Sequence, residues 1–161
     1  MTTARWPDGV TIAEGARVWV FPPQAVIFTQ TTLQVATVAD AHALVDMFLW
    51  LRSEMPENDA PTVVHDWRSI REIPRSVRTV FATRRKEITE QPRQLFVATE
   101  MNPLLRMAIR TVTLAAQLVS IGGPMEFTTN PFATLASLGV TTPDAALHAR
   151  LRASWRRFSA A

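Results

Sequence analysis

The pair His65-Asp66 is the feature of this sequence that comes nearest to catalytic chemistry. An imidazole beside a carboxylate can act as a general base, and the pair follows the predicted strand Thr62–Val64. Ligands of open α/β sheets gather at that end of a strand. A general base also needs a nucleophile, a substrate or a metal, and no nucleophile elbow, Walker loop or His-Glu-x-x-His motif accompanies the pair. We therefore expect a packed His65 and a turn-capping Asp66.

Neither a metal site nor a cofactor site is predicted. The sequence contains no cysteine, which rules out disulfides and thiolate ligands and suits a cytoplasmic protein. The remaining histidines, His42 and His148, lie in predicted helices and have no histidine or cysteine partner four residues further on. We therefore expect no catalytic residue, no bound metal and no cofactor.

The composition is that of one globular domain. A chain of 161 residues can bury a core without covalent staples, and 47% hydrophobic and 19% charged residues are ordinary values. The first ten residues lack the apolar run of a signal peptide, and Arg106 and Arg110 interrupt the most apolar segment, so neither export nor a membrane span is expected. Residues 1–141 hold thirteen basic and thirteen acidic side chains, so a nucleic-acid-binding surface is not expected either.

The elements that must position these residues follow the order β-β-α-β-α-β-α-β-α-α. Proline and asparagine mark several helix starts, because Asn caps free amides and Pro lacks the N–H that a first turn leaves unpaired. Parallel strands need crossover helices, so we predict an α/β fold with a mixed five-stranded sheet and helices mainly on one face. The predicted strands are Arg17–Phe21, Ala25–Thr29, Thr62–Val64, Leu95–Ala98 and Met125–Phe127. The predicted helix starts are Thr37 or Asp40, Pro74, Pro103, Pro131 and Asp144.

Three regions are predicted along the chain. Residues 1–16 form a loosely held N-terminal arm with room for one short strand, residues 17–140 form the domain, and residues 141–161 add a C-terminal helix. This helix is amphipathic and basic, with Leu147, Leu151, Trp155 and Phe158 on the side opposite its arginines. An anionic membrane, nucleic acid or an acidic protein groove would suit such a helix, but only four arginines favour simple docking on the domain.

Two predicted helices are more apolar than a single buried face requires. Residues 47–51 are five consecutive large apolar side chains, and the helix that begins at Pro103 is apolar around most of its circumference. Burying one leucine-sized side chain is worth about 1.5–3 kcal/mol, so these surfaces need a cover. The C-terminal helix, a partner chain and an apolar ligand are the three possible covers, in that order. The contact candidates are Trp50, Leu104, Met107, Ile109 and Trp155.

Two segments carry a resemblance to a known family. One runs from Leu95 to Leu138 through Asn102-Pro103-Leu104 and Pro124-Met125-Glu126-Phe127. The other runs from Val63 through Asp66 and Ile70 to the helix that begins at Pro74. Over about residues 17–140 the layout resembles the STAS fold of anti-sigma-factor antagonists, in particular the SpoIIAA-like group described as STAS/SEC14-like.

The resemblance implies a phosphorylation site. In STAS antagonists the turn after the matching strand carries Asp-Ser-Ser-Gly, and a kinase phosphorylates the second serine. Aligned without gaps from Asp66, this motif falls on Pro74–Val77, which makes Ser76 the candidate phosphoacceptor, with Ser69 as a second. The first and last motif positions are here Pro and Val, and a serine in a first helical turn is more often a weak cap. A helix N-terminus favours an anion at Ser76.

These observations favour a non-catalytic function. We expect a cytoplasmic bacterial regulatory or scaffolding module that binds a protein partner and itself, as a homodimer or another homo-oligomer. Arg75, Ser69 and Ser76 at the strand-to-helix turn join the apolar residues as contact candidates. The second alternative, which follows from the SEC14-like label, is a carrier or sensor of an apolar small molecule. The third is an enzyme that uses His65 and Asp66.

Overall fold

A computed structural model describes residues 6–55, 60–89, 92–100, 103–104, 106–107, 109–110 and 124–161. They form one sheet of six strands, ordered as in the sequence. The strands are β1 (Val10–Ala13), β2 (Ala16–Phe21), β3 (Val26–Thr31), β4 (Thr62–Asp66), β5 (Gln94–Ala98) and β6 (Met125–Thr128). The helices are α1 (Val38–Glu54), α2 (Arg75–Arg84), α3 (Pro131–Ser137) and α4 (Ala145–Ser159). The described residues between 103 and 110 are also helical.

The sheet is mixed, as predicted. The strands β1, β2 and β3 are antiparallel, whereas β3 to β6 are parallel, so the α/β class is confirmed. The prediction of five strands is wrong, because β1 pairs with β2 and adds a sixth. Val10 is 1% exposed and Ile12 is buried beside it, so this part of the predicted arm belongs to the core.

The two faces of the sheet are covered differently. Side chains alternate between faces along a strand. On one face, which we call the helical face, residues such as Val18 and Ile27 pack against α1 and α4. On the other, which we call the aromatic face, Trp19 and Phe28 stack with ring centroids 5.5 Å apart and pack with Phe132 of α3. The helix α2 packs beside α1, so most of the labelled helices lie on one side.

The C-terminal helix is the cover of α1. Asp144 caps α4 by accepting hydrogen bonds from the amides of its first turn, as the sequence predicted. Trp50 and Trp155 meet edge to face with centroids 5.1 Å apart and are 1% and 7% exposed. The prediction that these two rings contact a partner is therefore wrong, because each buries the other inside the chain.

The start of α1 uses both residues that the sequence proposed for its cap. The Thr37 side chain accepts from the Asp40 amide at 3.1 Å, and the Asp40 carboxylate accepts from the Thr37 amide at 3.1 Å. This capping box pairs two amides that a helix start otherwise leaves free.

Candidate functional site

His65 and Asp66 point to opposite faces of the sheet. Neighbouring residues of a strand alternate between its faces, and β4 includes both residues. His65 lies on the helical face, where its Nδ1 and the Thr29 hydroxyl share a hydrogen bond of 2.5 Å. Asp66 lies on the aromatic face beside Arg68. The two side chains therefore do not form an acid–base pair, which removes the geometric basis of the enzyme alternative.

His65 is a packed core residue. It is 5% exposed, and its ring stacks on Trp67 with centroids 5.1 Å apart and planes 22° apart. Phe48 of α1 contacts the same ring edge to face. Burial lowers the pKa of His65 to about 4, because a charged imidazolium loses its hydration there. The ring is therefore neutral at pH 7.

Asp66 fixes the turn after β4, as predicted, and it does so through an ion pair that the sequence did not reveal. Its Oδ1 accepts from the Arg68 amide at 3.3 Å and from Arg68 Nε at 2.8 Å, and its Oδ2 accepts from Arg68 at 2.9 Å. The Gln30 side chain donates to the same carboxylate at 3.2 Å. The Arg68 guanidinium also lies 5.7 Å from the ring centroid of Phe132, so it joins β4 to α3.

The exposed apolar surface concentrates where the parallel strands end. We call this surface the carboxyl edge: the chain from 32 to 38 after β3, 67 to 76 after β4, and the described residues of 99 to 107 after β5. Among the described residues, five large apolar side chains are exposed, and four of them lie on this edge. They are Val35 (47% exposed), Val38 (40%), Leu104 (72%) and Met107 (60%). The fifth, Phe158, lies on α4 and stacks on Trp155.

Hydrogen bonds join the first two connections of the carboxyl edge. Val35 and Glu72 form a parallel bridge, and the Glu72 carbonyl accepts from the Ala36 amide at 3.1 Å. The Gln34 carbonyl accepts from the Arg71 amide at 2.7 Å. These bonds connect backbone to backbone, so the chain after β3 and the chain after β4 have a fixed relative position.

The second connection is joined to the end of β5 and to the chain beyond it by a backbone hydrogen bond, an ion pair and packing. The Trp67 amide donates to the carbonyl of Ala98 at 2.8 Å, and Arg71 pairs with Glu100 at 3.6 Å. Ile109 packs on a buried cluster that includes Ile73 and Val77, at the start of α2. The described residues of the third connection therefore adjoin the second connection.

The predicted phosphoacceptors have different environments. Ser76 and Arg75 are exposed in the first turn of α2, where Pro74 gives no side-chain cap to the amides. Ser69 is half-buried, and its hydroxyl donates to the Thr31 carbonyl at 2.5 Å, which helps to fix the turn. Of the two serines, Ser76 is the one whose hydroxyl faces solvent.

The remaining contact candidates also differ in how exposed they are. Leu104 and Met107 are exposed at the carboxyl edge, whereas Ile109 is half-buried against the start of α2. Sequence reasoning did not identify Val35 and Val38 as contacts. Val35 lies in a short connection and Val38 is the first residue of α1, and neither position gives a periodic signal.

A small apolar cleft lies at the opposite edge of the sheet. It is bounded by the end of α1, by the β2–β3 connection and by Ile88, and Phe48 and Met55 line it. Its volume is about 90 Å³, smaller than the ~150 Å³ apolar cavity that holds a benzene molecule in an engineered protein. A lipid-sized ligand would need a larger space, so this cleft gives the carrier alternative little support.

Over the part of the chain that the structure describes, no three metal-ligating side chains cluster. None of the helices within the same residues has the length and apolar character needed to cross a bilayer. Comparison with protein-family models, with curated proteins and with solved structures finds no match for this chain. Its function is therefore inferred from its own surface.

Proposed function

We propose that this chain is a cytoplasmic, non-catalytic regulatory or scaffolding module that binds another protein through its carboxyl edge. The observation that supports this proposal is the position of Val35, Val38, Leu104 and Met107 on the connections after β3 and β5, on either side of the connection after β4. Single exposed apolar side chains are ordinary on a protein surface, whereas several on one face indicate an interaction site.

The rest of the carboxyl edge has the composition of an interface. Protein interfaces are enriched in Met and Arg, with an apolar centre and a polar rim. Arg71 is exposed and paired with Glu100, and Arg75 is exposed on α2. Because backbone hydrogen bonds already hold the connections after β3 and β4, binding would order little additional chain around Val35, which favours affinity.

We also propose that the carboxyl edge associates with a second copy of the chain. Closed two-fold dimers are the commonest assembly of soluble proteins, and an apolar patch can cover its own symmetry copy. In such a dimer Leu104 and Met107 of one copy would face the same residues of the other.

The test is a pair of surface variants. Leu104→Ser with Met107→Ser removes the two most exposed apolar side chains of the edge, and Phe158→Ser removes the exposed one on α4 as a matched control. Sedimentation velocity at two concentrations measures self-association, and quantitative co-purification from the native host measures other partners. We expect the Leu104→Ser/Met107→Ser variant to lose self-association and partner binding, and Phe158→Ser to keep them. A monomeric wild type that recovers the same proteins as the edge variant would refute the proposal.

The STAS/SpoIIAA-like assignment is a further part of the proposal. The parallel series from β3 to β5 with α1 and α2 between the strands supports it, as does the position of Ser76 in the first turn of the helix that follows β4. We propose Ser76 as the phosphoacceptor. Intact-mass measurement of the protein from its native host, with Ser76→Ala and Ser69→Ala variants, tests this. Phosphate that persists in Ser76→Ala, or is never present, would contradict it.

A further inference from the structure

His148 supplies a hydrogen-bond acceptor where a strand ends. Val10, the first residue of β1, pairs with Val18 of β2, so β1 begins too late in the chain to pair with Val20. Its amide donates to Nε2 of His148 at 3.0 Å, and the residue is 3% exposed. A buried amide without an acceptor is costly. His148, on α4 and 0% exposed, therefore takes the place that a longer β1 would fill.

The two partners of the ring fix its protonation state. Because Nε2 accepts from the Val20 amide, the single ring proton lies on Nδ1, which is 2.6 Å from the Asp144 carbonyl. Only the neutral ring satisfies both partners. An added proton on Nε2 would point at the Val20 N–H, so two donors would face each other in a buried site.

Other polar side chains also lie in the contact between α4 and the rest of the domain. Trp50 Nε1 donates to Ser154 Oγ at 3.0 Å, and that hydroxyl donates to Glu54. Arg152 donates to the backbone carbonyl of Asp8. These bonds orient the helix, and the apolar contacts of Leu151 and Trp155 hold it on the domain.

Few charges act on the imidazole. On the same helix, Asp144 lies one turn before His148 and Arg152 lies one turn after it. The elements packed against α4 contribute three further ionisable groups. Glu54 of α1 faces Ser154, and Arg17 is the ionisable residue of β2. The carboxylate of Asp8, before β1, is 85% exposed. Burial lowers the pKa of His148 and the Arg152 charge lowers it further, whereas Asp144 raises it.

We propose that His148 is an acid-sensitive latch, whose protonation shifts α4 toward an undocked state that exposes Trp50 and the sheet beneath it. This device does not involve the carboxyl edge and stands independently of the function proposed above. The docked state disfavours the charged ring, so it binds fewer protons than the undocked state. The undocked fraction therefore rises as pH falls below the ordinary histidine value of 6.5, by up to about tenfold per pH unit, until the docked ring itself titrates.

Hydrogen exchange of the α4 amides tests the latch. The opening equilibrium of residues 145–159 is measured at pH 6.5 and one unit below, after correction for the intrinsic pH dependence of exchange. We expect it to increase, by up to about fivefold, in the wild type, because the undocked ring is already half-protonated at pH 6.5. His148→Gln is the matched control, because its amide oxygen can accept from Val20 but does not titrate, and its opening should not change. His65 also titrates on acidification, but it belongs to β4 and bonds to Thr29 of β3, so we expect its effect in those two strands.

A second measurement uses the wild type alone, in case His148→Gln does not fold. Nitrogen and carbon NMR of the ring reports its tautomer and its titration. We expect the Nδ1–H form and a midpoint below 6.5. An Nε2–H tautomer, a midpoint at or above that value, or an α4 opening with the same pH dependence in His148→Gln would each overturn the proposal.

Discussion

Acid should destabilise this protein through His65. The folded ring has a pKa of about 4, against an ordinary value of 6.5. The unfolded chain therefore binds more protons between these values, and the free energy of unfolding is highest above pH 6.5 and falls as pH falls toward 4. Each unit of pKa difference corresponds to about 1.4 kcal/mol, so the full loss from this residue is about 3 kcal/mol.

The variant that isolates this effect replaces both members of the buried hydrogen bond. His65→Leu with Thr29→Val removes the titrating ring without leaving the hydroxyl unpaired, which a single substitution would do. His42→Gln is the control, because His42 is exposed. Urea unfolding followed by tryptophan fluorescence gives the free energy at several pH values.

The expected result is a difference in slope. Between pH 6.5 and about pH 5, the His65 contribution falls by about 2 kcal/mol. The wild type and His42→Gln should therefore lose about 2 kcal/mol more than the double variant over this interval. Contributions from His148 and the carboxylates are common to all three proteins and cancel in the comparison. Equal slopes in the wild type and the double variant would refute the reasoning.

Two further substitutions test the core contacts by chemical or thermal unfolding. Asp66→Ala should cost about 2–3 kcal/mol, because it leaves a partly buried guanidinium without its charged acceptor. Arg71→Ala, which breaks only the exposed pair with Glu100, should cost less than about 1 kcal/mol; equal costs would contradict the importance of burial. Trp155→Ala should cost about 3–5 kcal/mol, and Phe158→Ala much less, because Phe158 is 38% exposed. Similar losses would mean that α4 is not docked as described.

The strand-to-helix order was predictable because its signals are local. Asn130 caps α3 and Asp144 caps α4 with the side-chain hydrogen bonds that their residue types predict. The strand β1 was not predicted as part of the sheet, because four residues give too short a pattern to distinguish from an arm. Its place depends on pairing with β2 and on the cover that α4 provides, and neither is visible in the segment itself.

The candidate site was less predictable, because it depends on which connections meet. The adjacency of His65 and Asp66 suggested a pair, but strand alternation separates them. Trp50 and Trp155 suggested two exposed contacts, but they are partners of each other across about a hundred residues of sequence. Long-range pairing of this kind leaves no trace in composition or spacing.

The apolar excess of the sequence therefore has two outcomes, and they differ in chemistry. The excess on α1 is covered inside the chain, and polar side chains such as His148 and Ser154 set the orientation of that cover. The excess on the carboxyl edge is not covered by the described residues, and backbone hydrogen bonds, which do not titrate, hold the connections after β3 and β4 together. Protonation of His148 would thus act on one apolar surface and leave the other unchanged. A chain built in this way can respond to acid at α4 while its proposed binding surface keeps its form.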